Sequence, residues 1–286
     1  MEFTKIQGCG NDYLFVDLTK GRDLPDAPGC ARRISDRRFG VGADGLILIV
    51  DPDDPAAADI GMVMYNADGS RGRMCGNGFR GLCKYAYERG LVRRPQIRVK
   101  TDSGVLTGTL HFEGDRVERV TVDLGVPDLN RSSLPMEGPA GPAIEARVKA
   151  AGREVVGTAV SVGNPHFVVF VDGDPEKYPV EQVGPALETH SLFPERVNAE
   201  FVQVLGPHEA RQRTWERGSG ETLACGTGAA AVCVAGVVTG RLKSPVTIHL
   251  RGGDLLIEWE GKGRPVLKTG PTVEVFRGEY PWPRME

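Results

Sequence analysis

Hydrophobic and polar residues alternate with a period of two along much of the chain, as they do in half-buried β-strands. VERVTVDLG at 117–125, TAVSVGNPHFVVFV at 158–171 and TVEVFRGEY at 272–280 show the pattern. QIRVKTDSGVLTGTLHF at 96–112 and VTIHLRGGDLLIEWEG at 246–261 read as hairpins, the second around a Gly-Gly-Asp turn. Two segments depart from this period. GFRGLCKYAYERG at 78–90 spaces its apolar residues as a helix does, and GAAAVCVAGVVTG at 228–240 is apolar all round, as a buried helix is. Each ends in glycine, which suits a helix C-terminal cap.

The two helical segments share a template. MCGNGFRGLCKYAYERG (74–90) aligns with ACGTGAAAVCVAGVVTG (224–240) so that Cys75 meets Cys225, Gly76 meets Gly226, Gly78 meets Gly228, Cys83 meets Cys233 and Gly90 meets Gly240, all at an offset of 150. Upstream, Gly10-Asn11 matches Gly163-Asn164 at an offset of 153. The pattern reads as an internal duplication. The expected fold is therefore α/β of the α+β type: two pseudo-twofold domains, each with β-structure wrapped around a central helix. The expected halves are residues 1–122 with the tail 272–286, and residues 123–271.

Composition narrows the function. The 286 residues are 26% charged and 40% hydrophobic, with a formal net charge of −3, as in an ordinary globular protein. No basic run points to nucleic acid or a membrane surface. The N-terminus lacks the basic and apolar regions of a signal peptide, so a cytoplasmic location and six reduced cysteines are expected. No CxxC or Cys/His spacing suggests a metal. The 38 glycines fall in short clusters between patterned segments, as at tight turns and close backbone approaches.

The duplication places one cysteine at the start of each central helix. A helix N-terminus favours a thiolate by roughly 0.3–1 kcal/mol, up to about 2 when partly buried. One pKa unit is worth about 1.4 kcal/mol, so the expectation is a thiol titrating near neutrality. Equivalent loops facing each other across a cleft would hold one thiolate and one thiol. One would take a proton from a stereocentre while the other returns a proton on the opposite face. Backbone N–H groups at the same helix starts suit a substrate carboxylate. Five of the six asparagines, Asn11, Asn66, Asn77, Asn164 and Asn198, lie in short motif loops. Their amides can both donate to and accept from a polar substrate. Arg217 suits a bidentate carboxylate clamp, and Glu216 beside it suits an ammonium group.

Several blocks carry a resemblance. KIQGCGNDY (5–13), VGADGL (41–46), YNADGSRGRMCGNGFR (65–80), SVGNPHFV (161–168), RVNAEFV (196–202), RTWERGSGETLACGTGAAA (213–231) and TGP (269–271) occur in this order. On them the chain resembles the diaminopimelate epimerases over nearly its whole length. The resemblance implies interconversion of LL- and meso-diaminopimelate, in lysine and cell-wall precursor biosynthesis, without metal or pyridoxal phosphate. It implies two similar domains with the active site in an interdomain cleft, and Cys75 and Cys225 as the two proton donor/acceptors. His166 and Glu216 match positions that support catalysis. Asn11, Asn66, Gly76, Asn77, Asn164, Asn198, Glu216, Arg217, Gly226 and Thr227 match substrate contacts. Gly45 stands where some members carry a glutamine that touches substrate, so no side-chain contact is expected there. The RGR block before MCGNG also differs from the acidic residues common in the family.

The alternative is a proline racemase or hydroxyproline epimerase of the same architecture. The set Asn66, Asn198, Glu216 and Arg217 favours a substrate charged at both ends instead. A nucleotide-binding protein is disfavoured because neither GxxxxGK[ST] nor a strand-to-helix GxGxxG occurs. No local signal marks a Schiff-base lysine. The expected partner is a small amino-acid substrate, with a homodimer open and the oligomeric state not readable from the sequence, and with no nucleic acid, membrane or cofactor.

Overall fold

A computed structural model describes residues 1–282. The tail expected in the first half is thus described to Trp282, and its end at 283–286 lies outside the described residues. The chain divides into two compact units. One is Met1–Val122 together with the chain from Gly270 onward; the other is Asp123–Thr269.

The first unit runs β1 (Glu2–Gly8), β2 (Asn11–Asp17), α1 (Ala27–Ser35), β3 (Gly45–Val50), β4 (Ile60–Asn66), β5 (Arg71–Gly72), α2 (Gly76–Glu88), β6 (Gln96–Thr101), β7 (Gly104–Glu113) and β8 (Arg116–Asp123). β1 pairs antiparallel with β2, β2 parallel with β3, and β3 antiparallel with β4. β4 then pairs antiparallel with β5 and parallel with β6, and β6, β7 and β8 form an antiparallel meander.

The second unit runs β9 (Ala146–Ala150), β10 (Arg153–Ser161), β11 (Pro165–Phe170), α3 (Val180–Glu188), β12 (Asn198–Gly206), β13 (Glu209–Glu216), β14 (Gly220–Thr222), α4 (Gly226–Val238), β15 (Val246–Leu250), β16 (Gly253–Trp259) and β17 (Val266–Pro271). From β10 to β17 it repeats the pairing scheme of β1 to β8 strand for strand. β9 lies antiparallel to β10, as the last strand, β18 (Val273–Glu279), lies antiparallel to β1.

Each central helix has 13 residues. Both end as the glycines predicted, with Gly90 and Gly240 at φ of 72° and 71°, a left-handed conformation that glycine adopts without strain. A Cβ on Gly78 would fall 2.4 Å from Ile47, and one on Gly228 would fall 2.4 Å from Glu200. Glycine there lets the first turn of each helix rest on its sheet.

At two places the fold goes beyond the sequence pattern. The alternating stretch 158–171 is two antiparallel strands, with Thr158 opposite Val168, because the chain turns at Val162–Asn164. The α-helices also number four among the described residues, α1 and α3 joining the expected central pair. α1 and α3 contain proline and glycine, which hid their helical period. α1 is set up by the Asp26 side chain, which accepts from the Gly29 N–H at 3.0 Å. Cys30, Ala31 and Ile34 of α1 join Leu14, Leu46 and Leu48 in one core, and Val183 and Leu187 of α3 join Phe167, Phe193 and Phe201 in another. No helix among the described residues is long and apolar enough to cross a membrane.

Candidate active site

Cys75 is the N-cap residue of α2 and Cys225 the N-cap residue of α4. Both have extended backbone before the helix begins, so each side chain stands beside the first free N–H groups. The two surroundings differ.

In the first unit, Cys75 Sγ donates to Asn11 Oδ1 at 3.4 Å. Asn77 Nδ2 donates to the same oxygen at 3.2 Å, and Asn11 Nδ2 donates to Asp44 Oδ2 at 2.6 Å. Asp44 also takes Arg37 at 2.9 Å. Arg37 and Lys5 reach Asp12 at 2.6 and 2.7 Å. Burial works to raise the Asp12 pKa, but those two cations outweigh it and hold the carboxyl below its ordinary value. The loop asparagine is therefore held by a charged cluster behind it. Asn66 closes a turn, donating to Ser70 Oγ at 2.9 Å. The Tyr13 hydroxyl hydrogen-bonds Cys75 and Asn11; burial and the nearby sulfur push its pKa well up, so it stays neutral. Arg80, fully buried in α2, donates to the carbonyls of Pro271 (3.1 Å) and Gly76 (3.4 Å). Burial lowers its pKa, while Cys9 and Cys75 act to raise it.

In the second unit, the Gly228 N–H donates to Cys225 Sγ at 3.3 Å, and Thr227 Oγ1 lies 3.5 Å from the sulfur. Asn164 Nδ2 donates to Thr227 at 3.3 Å, and Asn164 Oδ1 lies 3.0 Å from His166 Nε2. His166 Nδ1 lies 2.8 Å from Glu200 Oε1, with both side chains wholly buried. The other Glu200 oxygen accepts from Gln212 and Thr214, each at 2.6 Å. Ligand-capable atoms of His166, Glu200 and Cys225 lie within 4.8 Å of one another, a grouping that sequence spacing did not disclose. Both Glu200 oxygens are engaged by hydrogen-bond donors, so the grouping is a hydrogen-bond network.

Cys225 departs from the expected near-neutral thiol. Burial first, then the charges of Glu200 and Glu216, push its pKa well above 9.0. Thr227 and the Gly228 N–H oppose this and are outweighed. The helix terminus is the smaller effect. Glu216 is itself raised by burial and by Glu200, against a 2.5 Å bond from Thr222. Two carboxyl groups, Glu200 and Glu216, act on Cys225, with the buried Lys268 ammonium against Gly226 beside it; near Cys75 the buried charge is the cation of Arg80.

Asn198 is buried, its Nδ2 donating to Pro165 O (2.8 Å) and its Oδ1 accepting from the Arg217 N–H (2.9 Å). The amide thus ties the start of β11 to the Arg217 turn. The Arg217 guanidinium is exposed and bonds the Glu195 carbonyl at 3.0 Å, which leaves several of its five donors for a ligand. Gly76, Asn77, Gly226 and Thr227 form the opening turns of the two helices. Gly45 has no room for a side chain: a Cβ would meet the Tyr65 carbonyl at 2.3 Å and the Tyr13 ring at 2.9 Å.

Sequence reasoning missed Tyr13, Asp44, Glu200, Gln212 and Thr214. The repeat held a clue to some of them. Tyr13 pairs with Gly45 in the parallel register, and His166 pairs with Asn198, again 153 residues on. Tyr13 thus occupies in the first unit the place of His166 in the second.

Two topologically equivalent units, each opening its central helix on a cysteine, define a two-repeat fold with known examples. A Bacillus anthracis phenazine biosynthesis protein of the PhzF family matches with a TM-score of 0.72 at 16% identity, over 98% of each chain. A hydroxyproline epimerase from Agrobacterium vitis matches with a TM-score of 0.65 at 14% identity, over 97% of this chain and 90% of that one. The sequence model described as diaminopimelate epimerase matches residues 3–129 and 158–275. The chain belongs to the diaminopimelate epimerase family. A relative of that name from Pelotomaculum thermopropionicum is 50% identical over 283 residues, covering 99% of both chains.

Proposed function

We propose that this enzyme interconverts LL- and meso-diaminopimelate by moving a proton at one α-carbon, with Cys75 and Cys225 as the two proton-transferring groups. The observation that carries the two-thiol scheme is that both cysteines occupy the N-cap position of equivalent helices in equivalent units. Identity of about half the residues, end to end, with a relative named diaminopimelate epimerase supports the substrate over proline or hydroxyproline.

In one direction a thiolate at Cys75 takes the α-proton and becomes a thiol. The Cys225 thiol gives its proton to the other face of the carbon and becomes a thiolate. The reverse direction exchanges the roles, so no proton is gained or lost overall. Burial among anions suits Cys225 to hold its proton until the carbanion forms. The free N–H groups at Gly76, Asn77, Gly226 and Thr227 suit the α-carboxylate and the charge that develops on it. Asn11, Asn66, Asn164 and Asn198 shape and line the substrate loops. Arg217 takes the distal carboxylate, Glu216 the distal ammonium, and His166 tunes Cys225. Two thiols supply both proton transfers, so the chemistry calls for no cofactor. A cytoplasmic enzyme in lysine and peptidoglycan-precursor synthesis, acting alone or as a homodimer, is the setting we assign.

The test is turnover in D2O followed by proton NMR. Deuterium should enter the α-position of LL- and meso-diaminopimelate and not that of proline. Exchange into proline alone would overturn the assignment.

A further inference from the structure

The Glu200 carboxylate is wholly buried in the second unit. Burying a carboxylate costs several kcal/mol unless donors satisfy it, and here three do: His166 Nδ1, Gln212 Nε2 and Thr214 Oγ1. The repeat provides an internal control. Glu200 pairs with Thr214 across β12 and β13, and the equivalent pair across β3 and β4 is Ile47 with Met64. Gln212 likewise corresponds to Met62, and His166 to Tyr13. The same strands and the same helix start form over an apolar floor in one unit and a charged one in the other. The fold does not need the charge.

We infer that Glu200 is a positioning residue for the epimerisation, orienting His166 for Cys225. This rests on the function proposed above. A carboxylate only accepts, so the 2.8 Å contact fixes the proton of that bond on His166 Nδ1. The ring's Nε2 lies 3.0 Å from Asn164 Oδ1, which also only accepts, so Nε2 donates there; Asn164 Nδ2 in turn bonds Thr227, which meets Cys225. Glu200 holds one end of this line, and the sulfur stands at the other. Gly228, the residue that donates to Cys225, lacks a side chain where Glu200 comes to within 2.4 Å of a Cβ position. One carboxylate thus orients the imidazole and lies against the helix turn that carries the cysteine.

The test combines Glu200→Gln, which keeps the shape and removes the charge, with nitrogen-15 histidine NMR on the unmutated enzyme. In E200Q, kcat should fall about 10–100-fold, the usual loss when an orienting partner of a functional histidine is removed, with KM within about twofold. Alkylation of Cys225 should speed up relative to Cys75 in the same sample, which a purely structural role would not produce. In the unmutated enzyme, His166 should carry a slowly exchanging Nδ1 proton. A kcat within about twofold of the parent, or a His166 ring protonated on Nε2 alone, would overturn the inference. The NMR result holds even if E200Q does not fold. Absence of diaminopimelate turnover by the parent enzyme would instead overturn the proposed function.

Discussion

Cys225 accepts the Gly228 N–H at 3.3 Å and so caps the helix it begins, while Cys75, at the equivalent position, makes no such cap bond. Serine is among the best N-cap residues. Cys225→Ser should therefore keep or slightly raise the melting temperature, and Cys225→Ala should cost about 0.5 kcal/mol, the low end for losing a cap. Both should lower kcat by about 10²–10⁴-fold, the contribution typical of a positioned proton-transfer group. Thermal melts and kinetics on the same preparations check this; an active Cys225→Ser enzyme would contradict it.

The raised thiol of Cys225 gives a pH signature. Its folded pKa lies above the ordinary 9.0. The stability it confers is fully present below about 9 and is lost as pH rises through the folded value, because the unfolded chain ionises first. Melting temperatures between pH 8 and 10.5 should fall more steeply for the parent than for Cys225→Ser. Parallel curves would show an unperturbed thiol.

Glu216 trades stability for position. Burial and Glu200 raise its pKa, so its ionised form is destabilising in the folded state. Glu216→Gln should stabilise the enzyme at pH 7 by about 0.5–2 kcal/mol while reducing turnover. The gain should shrink as pH falls below the ordinary 4.5 and both side chains become neutral. Denaturant melts at pH 7 and pH 4 measure it; a variant less stable than the parent at pH 7 would refute the assignment.

Asn11 separates shape from charge. Its amide joins Asp44 to Cys75, donating to one at 2.6 Å and accepting from the other at 3.4 Å. Asn11→Asp would set a carboxylate against Asp44 and lose the donor. It should impair kcat more than Asn11→Ala does, although it is closer in shape. In Tyr13→Phe the ring stays and the hydroxyl bonded to Cys75 goes. The melting temperature should change little and kcat should drop. Steady-state kinetics on the three variants decide both points.

The duplicated cysteine–glycine template was legible because it depends on residue identity. Only glycine fits at Gly78 and Gly228, and only a left-handed cap needs Gly90 and Gly240. The hairpins were legible from period two. α1 and α3 were not, because Pro28 and Gly29 in one and Gly184 and Pro185 in the other resemble loop punctuation, and burial against the sheet overrides that propensity. Glu200 was hidden differently. A single acidic residue in NAEFVQV reads as a solvent-facing strand position, yet the first five residues of β12 are buried on both faces. Its partners Gln212 and Thr214 alternate with arginines in RQRT, which gives the same surface appearance. Where a charge is satisfied by residues 34 or 12 positions away, local pattern carries no trace of it.

The central claim is that two thiols share one α-carbon's chemistry. The most direct measurement is α-deuterium incorporation in D2O with LL- and then meso-diaminopimelate, using Cys75→Ala and Cys225→Ala beside the parent enzyme. The parent should deuterate both isomers, and epimerisation of either one should fall at least about 100-fold in each variant. Epimerisation of either isomer by Cys75→Ala or Cys225→Ala at the parent's rate would contradict that claim.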